Sequence, residues 1–410
     1  MKILLATSSV TANSGVPSFN RELCSLLSSE NEIHLLVDED IKTFSKYKKV
    51  YSIFGKNKFD YSFCFALLSK INAEKYDVII NSKSYVMSIL APFLNNTTKL
   101  ITVSHSLGTL DCDNAVFNHP YIDSIIALSQ SCKDYILKRF SVKERDKIKI
   151  VYNSVVNYPD ACSKRELKQK NEILKIVFAG GSAPSKSPEL IVLILHELCK
   201  TDLPFEFYWL GNYTPPLKRI QPYQNVNIVL PDDERIIITG RIDHNKAADI
   251  IASCNVFLAP SKREGFPMAL LEAMRVGCIP IVSDYNVANK EIICDGENGF
   301  VIPHNNVHEF NNRLVDILQN HSKYYHIYEN SYKTFLNELS FPIWQRQIFS
   351  LIMDSALNHT NRKKITRYEF RLVTIRFWLL AKYNVLEMYM KEILPCALKF
   401  FWYYVKYGRS

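Results

Sequence analysis

One rhythm constrains this chain more than any other feature. Short apolar runs rich in Val, Ile and Leu recur along it, each followed by a stretch with helical periodicity. A first series reads Ile3–Ala6, Ile33–Val37, Val78–Ile80, Leu100–Val103, Ser124–Leu128 and Ile148–Tyr152. A second reads Lys175–Ala179, Phe205–Leu210, Val226–Leu230, Ile236–Thr239, Asn255–Ala259 and Pro280–Ser283. The runs are continuous and do not alternate with polar residues. They therefore suit central strands of parallel sheets covered on both faces. Strands that alternate with helices predict a doubly wound α/β architecture. The polar stretch 161–172 separates the two series and reads as a linker between domains at 1–160 and 173–340. Open α/β sheets bind ligands beyond the carboxyl ends of their strands, so the expected site is the cleft between the domains.

Composition narrows the class. The 410 residues are 47% hydrophobic and 22% charged, which excludes a disordered, collagen-like or disulfide-scaffold chain. Of the formal charge of +9, residues 360–410 carry +8, from eleven Lys and Arg against three Glu. The body is thus nearly neutral, unlike a general nucleic-acid binder, and no nucleic-acid partner is expected. Ten cysteines include no C-x-x-C pair, so free thiols in a reducing compartment are expected and a structural zinc site is not. The opening MKILLATSSV is too short in apolar length for a signal peptide and reads as a first strand. No run of 18 uncharged apolar residues predicts an ordinary transmembrane helix.

The most informative stretch is Asn255–Gly299. A strand ends at Pro260-Ser261, and a charged turn follows, Lys262-Arg263-Glu264-Gly265-Phe266. Pro267 fits the first position of a helix running to about Val276, with Gly277 as a left-handed stop. The start of that helix offers unpaired N–H groups and a positive dipole end to a phosphate. Gly265 allows a ligand close to the backbone. Glu272 is the anomaly, because Met268-Ala269-Leu270-Leu271 and Ala273-Met274 around it are apolar. A buried carboxylate needs hydrogen-bond donors, and a ribose diol supplies two. The alternative is a surface Glu on a partly exposed helix.

This register, E-G-F-P-x-x-L-L-E-A-M followed by Gly277, Pro280, Asp284, Glu291 and the turn Asp295–Gly299, resembles the group 1 (family 4) retaining glycosyltransferases. The resemblance covers roughly residues 1–340 and is firmest over 236–303. It implies the GT-B fold, two facing Rossmann-like domains, with acceptor bound by the first and nucleotide sugar by the second. It also implies that 341–359 forms a helix returning to the first domain. Ser14-Gly15-Val16-Pro17 resembles the family's first loop, under the donor diphosphate. His105 stands where the family has a histidine near the transferred sugar, and Asn153 resembles a structural Asn before the linker. Glu264 would contact the donor sugar, helped by backbone amides of Gly265 and Phe266. Glu272 would hold the ribose, and Lys186 would balance the diphosphate. No metal ligand set and no cofactor beyond the nucleotide-sugar substrate are implied.

One position departs from the family. Gly181 stands where an Arg would pair with Lys186 in neutralising the leaving diphosphate. A lost charge-assisted contact is worth about 1.5–3 kcal/mol. Lys262, Arg263, or a nest of Gly181 and Ser182 amides would compensate. The departure also leaves open a non-catalytic subunit supporting a partner transferase. A sugar-nucleotide epimerase or hydrolase on the same fold is a third reading. A nicotinamide dehydrogenase is disfavoured, because Thr7–Val16 holds one glycine and no G-x-G-x-x-G.

Residues 360–410 lie beyond the family core and hold twelve of the 50 aromatics. Basic side chains interleave with Phe370, Ile375, Phe377 and Trp378, a pattern suited to an anionic membrane surface. The alternative is a set of helices packed on the body. A peripheral enzyme on the cytoplasmic face of the inner membrane fits a polyprenyl-linked saccharide acceptor. That points to bacterial O-antigen or capsule synthesis.

Overall fold

The computed structural model describes residues 1–11, 15–41, 45–106, 109–140, 145–156, 158, 173–214, 217–220, 225–262, 266–285, 287–354, 362 and 365–393. The expected linker, 161–172, lies outside them, as do residues 394–410.

The first series builds a seven-stranded parallel sheet: β1 (Lys2–Thr7), β2 (Glu32–Val37), β3 (Lys49–Ser52), β4 (Val78–Ser82), β5 (Lys99–Ser104), β6 (Ser124–Ala127) and β7 (Ile148–Ile150), in the order β3-β2-β1-β4-β5-β6-β7. The second builds a six-stranded parallel sheet. Its strands are β8 (Leu174–Ala179), β9 (Phe205–Leu210), β12 (Ile236–Gly240), β13 (Val256–Ala259), β14 (Ile279–Ser283) and β15 (Phe300–Ile302). Their order is β12-β9-β8-β13-β14-β15. Between β9 and β12, β10 (Leu217–Ile220) and β11 (Asn225–Ile228) form an antiparallel ribbon.

The ribbon corrects one expectation. The run at Val226–Leu230 does not enter the main sheet; its first part pairs with β10 instead. Asn225 and Asn227 alternate with Val226 and Ile228, the period-two signature of a ribbon, not of a doubly covered strand. The strands of the two main sheets that periodicity did not reveal, β3 and β15, are edges of four and three residues, too short to show a run or a period.

Alternation along β1 separates two cores. Ile3 and Leu5 face the Gly15–Leu27 helix through Phe19, Leu23 and Leu27. Leu4 and Ala6 face the layer of the Tyr61–Ala73, Tyr85–Leu90 and Thr109–Val116 helices. The first of these cores continues into the second domain through Val177, Leu210, Phe266 and Leu270, so the facing sides of both sheets share apolar packing.

Two terminal helices bind to the first domain. The Phe341–Met353 helix inserts Trp344, whose ring stands edge-on to Phe19 at 5.8 Å, and Lys99 Nζ donates to the Leu351 carbonyl at 2.7 Å. The Arg367–Ile393 helix buries Phe370, Val373 and Phe377 on the opposite face of the sheet. Each such side chain contributes about 1.5–3 kcal/mol through burial. Arg362, just before it, donates to the Thr98 carbonyl at 2.7 Å and to Asp123 Oδ2 at 3.2 Å. That ion pair is buried, with Arg362 5% and Asp123 2% exposed.

Candidate active site

The carboxyl ends of the two sheets enclose a cleft of about 780 Å³. The first domain contributes Gly15 and Arg21 from the helix after β1, His105 after β5 and Asn153 after β7. The second contributes Gly180–Ala183 and Lys186 after β8, then Arg241 and His244 after β12. Phe266 and Glu272 enter from the segment after β13. Of the residues singled out in the sequence, Gly15, His105, Gly181, Lys186, Phe266 and Glu272 therefore meet in one cavity. Arg263, Glu264 and Gly265 lie outside the described residues.

Glu272 sits on the short Met268–Met274 helix, and its side chain is 15% exposed. Burial raises its carboxyl pKa above the ordinary value. His244, with Nδ1 at 3.7 Å, opposes that shift, as do Arg275 and Lys186. Burial thus makes the carboxylate costly to ionise, and any donor a ligand brings relieves that cost. His244 also acts on Glu22 of the Gly15–Leu27 helix, whose carboxyl burial likewise pushes up. One imidazole of the second domain thereby bears electrostatically on a carboxylate of each domain.

The helix start differs in detail from expectation. Pro267 is the extended residue before the helix (φ −78°, ψ 101°), not its first helical residue, while Gly277 takes the left-handed conformation expected of it (φ 68°). Phe266 stacks on Tyr152 of the first domain, with centroids 5.0 Å apart and planes at 20°. Its ring therefore joins the domains as well as lining the cleft.

Gly181 explains its own departure from the family. Its φ is +54°, and a Cβ there would stand 3.0 Å from the Asn212 carbonyl oxygen. Gly211 faces it at φ +105°, with a Cβ position 3.0 Å from Gly181 Cα. Two glycine backbones touch, and neither tolerates a side chain. A Cβ on Gly180 would meet Lys186 Cγ at 2.7 Å, so the Lys186 stem lies over that glycine. By contrast, a Cβ on Gly15 meets nothing within 4 Å, which leaves that turn open to a ligand.

The compensations considered above fare differently. The Gly181 amide already donates to the Leu210 carbonyl at 3.1 Å, so it is spent as part of an anion nest. Lys262 pairs with Glu189 at 2.6 Å and does not line the cleft. Among the described residues, the Arg and Lys side chains that do line it beside Lys186 are Arg21 and Arg241, which sequence reasoning missed. Arg21 lies within the Gly15–Leu27 helix and Arg241 in the turn after β12, neither with a distinctive spacing. Arg21 is held by the Val10 carbonyl at 3.1 Å and Ser18 Oγ at 3.0 Å, at the base of the first loop.

His105 is 9% exposed. Its Nε2 lies 2.7 Å from Ser82 Oγ, and Phe19 packs edge-on at 5.0 Å. Lys83, next to Ser82, is held at φ 81° and bridges Thr7. Such a backbone costs on the order of 1–3 kcal/mol and persists where the surroundings impose it. Asn153 is 4% exposed, and its Oδ1 has no hydrogen-bond partner among the described residues, leaving an acceptor for a ligand hydroxyl.

The domains are also tied outside the cleft. Glu291 receives the backbone N–H groups of Gln130 at 2.7 Å and Ser131 at 2.8 Å, and the Ser131 hydroxyl. A carboxylate of the second domain thus caps the Gln130–Phe140 helix of the first.

A family model for "Glycosyl transferases group 1" matches residues 163–334, and one for "Glycosyltransferase Family 4" matches 13–156. The chain belongs to the group 1 glycosyltransferases. An uncharacterised glycosyltransferase of Methanocaldococcus jannaschii is 27% identical over 53% of this chain and 54% of its own length. The chain thus spans about half of that relative. An Escherichia coli UDP-Gal:alpha-D-GlcNAc-diphosphoundecaprenol alpha-1,3-galactosyltransferase is 25% identical over 62% of this chain and 69% of its own. Among solved structures, Anabaena HepE in complex with UDP-glucose matches with a TM-score of 0.64 at 16% identity, covering 86% of this chain and 99% of that one. The lipopolysaccharide outer core galactosyltransferase WaaB matches with a TM-score of 0.62 at 17% identity, covering 87% and 100%. The chain therefore has the GT-B fold, with its cleft where the two sheets face each other.

Proposed function

We propose that this glycosyltransferase moves a hexose from a nucleotide sugar to a lipid-linked saccharide, retains the anomeric configuration, and needs no metal. The observation that carries the reading is the meeting of Glu272, Lys186 and His105 from both domains in one cleft. The ribose diol donates to the Glu272 carboxylate, which the cleft leaves short of partners. As the bond from the anomeric carbon to the diphosphate oxygen breaks, negative charge grows on the leaving group. Lys186, Arg241 and Arg21 are the cations placed to offset it. The acceptor hydroxyl forms the new bond to the same carbon, and its proton goes to the departing diphosphate oxygen, which has taken the electron pair of the broken bond. His105, fixed by Ser82, lines the wall where sugar and acceptor meet.

The HepE complex supports a uridine diphosphate sugar as donor. The named acceptor of the E. coli relative supports a diphosphoundecaprenol-linked saccharide. A Klebsiella pneumoniae protein encoded in a cps region, 22% identical over 72% of this chain and 85% of its own, supports surface-polysaccharide assembly.

The test is transfer by the purified full chain from a panel of uridine diphosphate sugars to diphosphoundecaprenol-linked acceptors, with and without EDTA. Product configuration is read by NMR. The expected product keeps the donor's anomeric configuration, at a rate EDTA leaves unchanged. An inverted product sinks retention, and loss of activity with EDTA sinks metal independence. Donor binding without transfer to any acceptor favours the non-catalytic subunit.

A further inference from the structure

Over residues 367–380 the Arg367–Ile393 helix is apolar on two opposite sides. Its inner side, Phe370, Val373 and Phe377, is 3–7% exposed and holds it to the first domain. On the outer side, Tyr368 is 71% exposed, Leu372 42%, Ile375 50% and Leu379 54%. These four stand at intervals of four, three and four residues, so they form one stripe along the helix. Trp378, 52% exposed, borders it. A stripe of this size facing water marks a surface made for contact.

The charges beside it identify the contact. At 100° per residue, Arg376 lies on one flank, and Arg371 and Lys382 on the other. Arg376 leans over the Phe117 ring at 5.8 Å, and Lys382 over Trp378 at 5.5 Å, so both heads stay beside the stripe. Glu369 is the one acid among residues 367–382. A second copy packed on the stripe as a coiled coil would bring like charges face to face, where stable pairs carry opposite ones. An anionic lipid surface matches both features, since aliphatic and Trp side chains enter the headgroup boundary and cations pair with phosphates.

We infer that the outer stripe Tyr368–Leu372–Ile375–Leu379 lies in an anionic bilayer surface and fixes the first domain to the membrane. No helix among the described residues is long and apolar enough to cross a membrane, so the contact is interfacial. The inference deepens the lipid-linked acceptor reading, on which it rests for its purpose, but its test requires no transfer. An anchored first domain leaves the second free to exchange nucleotide in solution.

The test is sedimentation of the full chain with vesicles of phosphatidylcholine alone or mixed with phosphatidylglycerol, in the absence of donor. The variants are Leu372→Ser with Ile375→Ser, and separately Arg371→Glu. Circular dichroism and melting temperature establish that each is folded. Wild type is expected to pellet with the mixed vesicles and to stay in solution with phosphatidylcholine. The double variant is expected to lose binding. Arg371→Glu is expected to bind at least about fivefold more weakly, the effect of one cation near such a surface. Equal binding to neutral vesicles, or no binding to either, overturns the inference. So does undiminished binding of the double variant, which would hand the contact to residues 394–410. A wild-type dimer in light scattering that the double variant dissolves assigns the stripe to a second copy and overturns it as well. Normal vesicle binding without sugar transfer would leave this surface standing and fail the proposed function alone.

Discussion

Glu272 combines a buried position with a charge that His244, Arg275 and Lys186 do not fully offset. Its raised pKa has a signed consequence. The stability that this group contributes is fully present below the ordinary carboxyl value near 4.5 and is lost as pH rises through the raised value. Glu272→Gln should therefore melt above wild type at neutral pH without ligand, with the difference shrinking in acid. Melting temperature against pH for both proteins checks this, and parallel curves would contradict it. Donor affinity should move the other way and strengthen as pH rises over the same window, because the ribose hydroxyls need the ionised form as acceptor. At Gly181, restoring the family's arginine should not restore a function. Gly181→Arg forces a side chain into a left-handed residue 3.0 Å from a carbonyl oxygen. It should cost more than about 1 kcal/mol of stability. Arg241→Ala, in contrast, should fold normally and slow transfer with little change in melting temperature. A more active Gly181→Arg enzyme would refute this account of the diphosphate site.

At the scale of elements, the tie between domains is a helix cap made across an interface. Glu291→Ala removes the carboxylate from two backbone N–H groups at the start of the Gln130–Phe140 helix. A lost cap costs about 0.5–2 kcal/mol. The domains should also adopt a wider range of orientations, read as a larger radius of gyration in solution scattering that donor partly reverses. An unchanged scattering profile would show that Tyr152, Phe266 and the shared core set the orientation alone. Sequence made the central strands legible because each is a continuous apolar run, and made Glu272 legible because a carboxylate interrupts an apolar helix. Edge strands β3 and β15 escaped because four and three residues are too few to show a run or a period. Arg21, Arg241 and His244 escaped for a different reason. They reach the cleft only through the packing of two domains far apart in sequence, and nothing local distinguishes them from solvated charges. The unsuitability of Gly181 for an arginine was equally hidden, since it depends on Gly211 thirty residues away.

At the scale of the molecule, the chain beyond the second sheet returns to the first domain and clasps it twice. Arg362 with Asp123 is the buried charged clasp. Breaking such a pair from one side costs about 3–5 kcal/mol, because the remaining charge stays buried. Arg362→Ala should lower the melting temperature and expose the Arg367–Ile393 helix to early tryptic cleavage while donor binding persists. A wild-type digestion pattern would remove this clasp from the account. The two-domain arrangement puts Glu272, Lys186 and Arg241 on one side of the cleft and His105 and Arg21 on the other, so neither domain alone completes the cleft. The measurement that tests this most directly is a thermal-shift and calorimetric titration of the full chain with a panel of nucleotide sugars and free nucleotides, beside Glu272→Ala. At a ligand concentration 100 times the dissociation constant, binding adds about 2.7 kcal/mol. The account predicts a shift of that size with one uridine diphosphate sugar, and its loss in a folded Glu272→Ala. A folded Glu272→Ala that binds the same donor as tightly as wild type would contradict it.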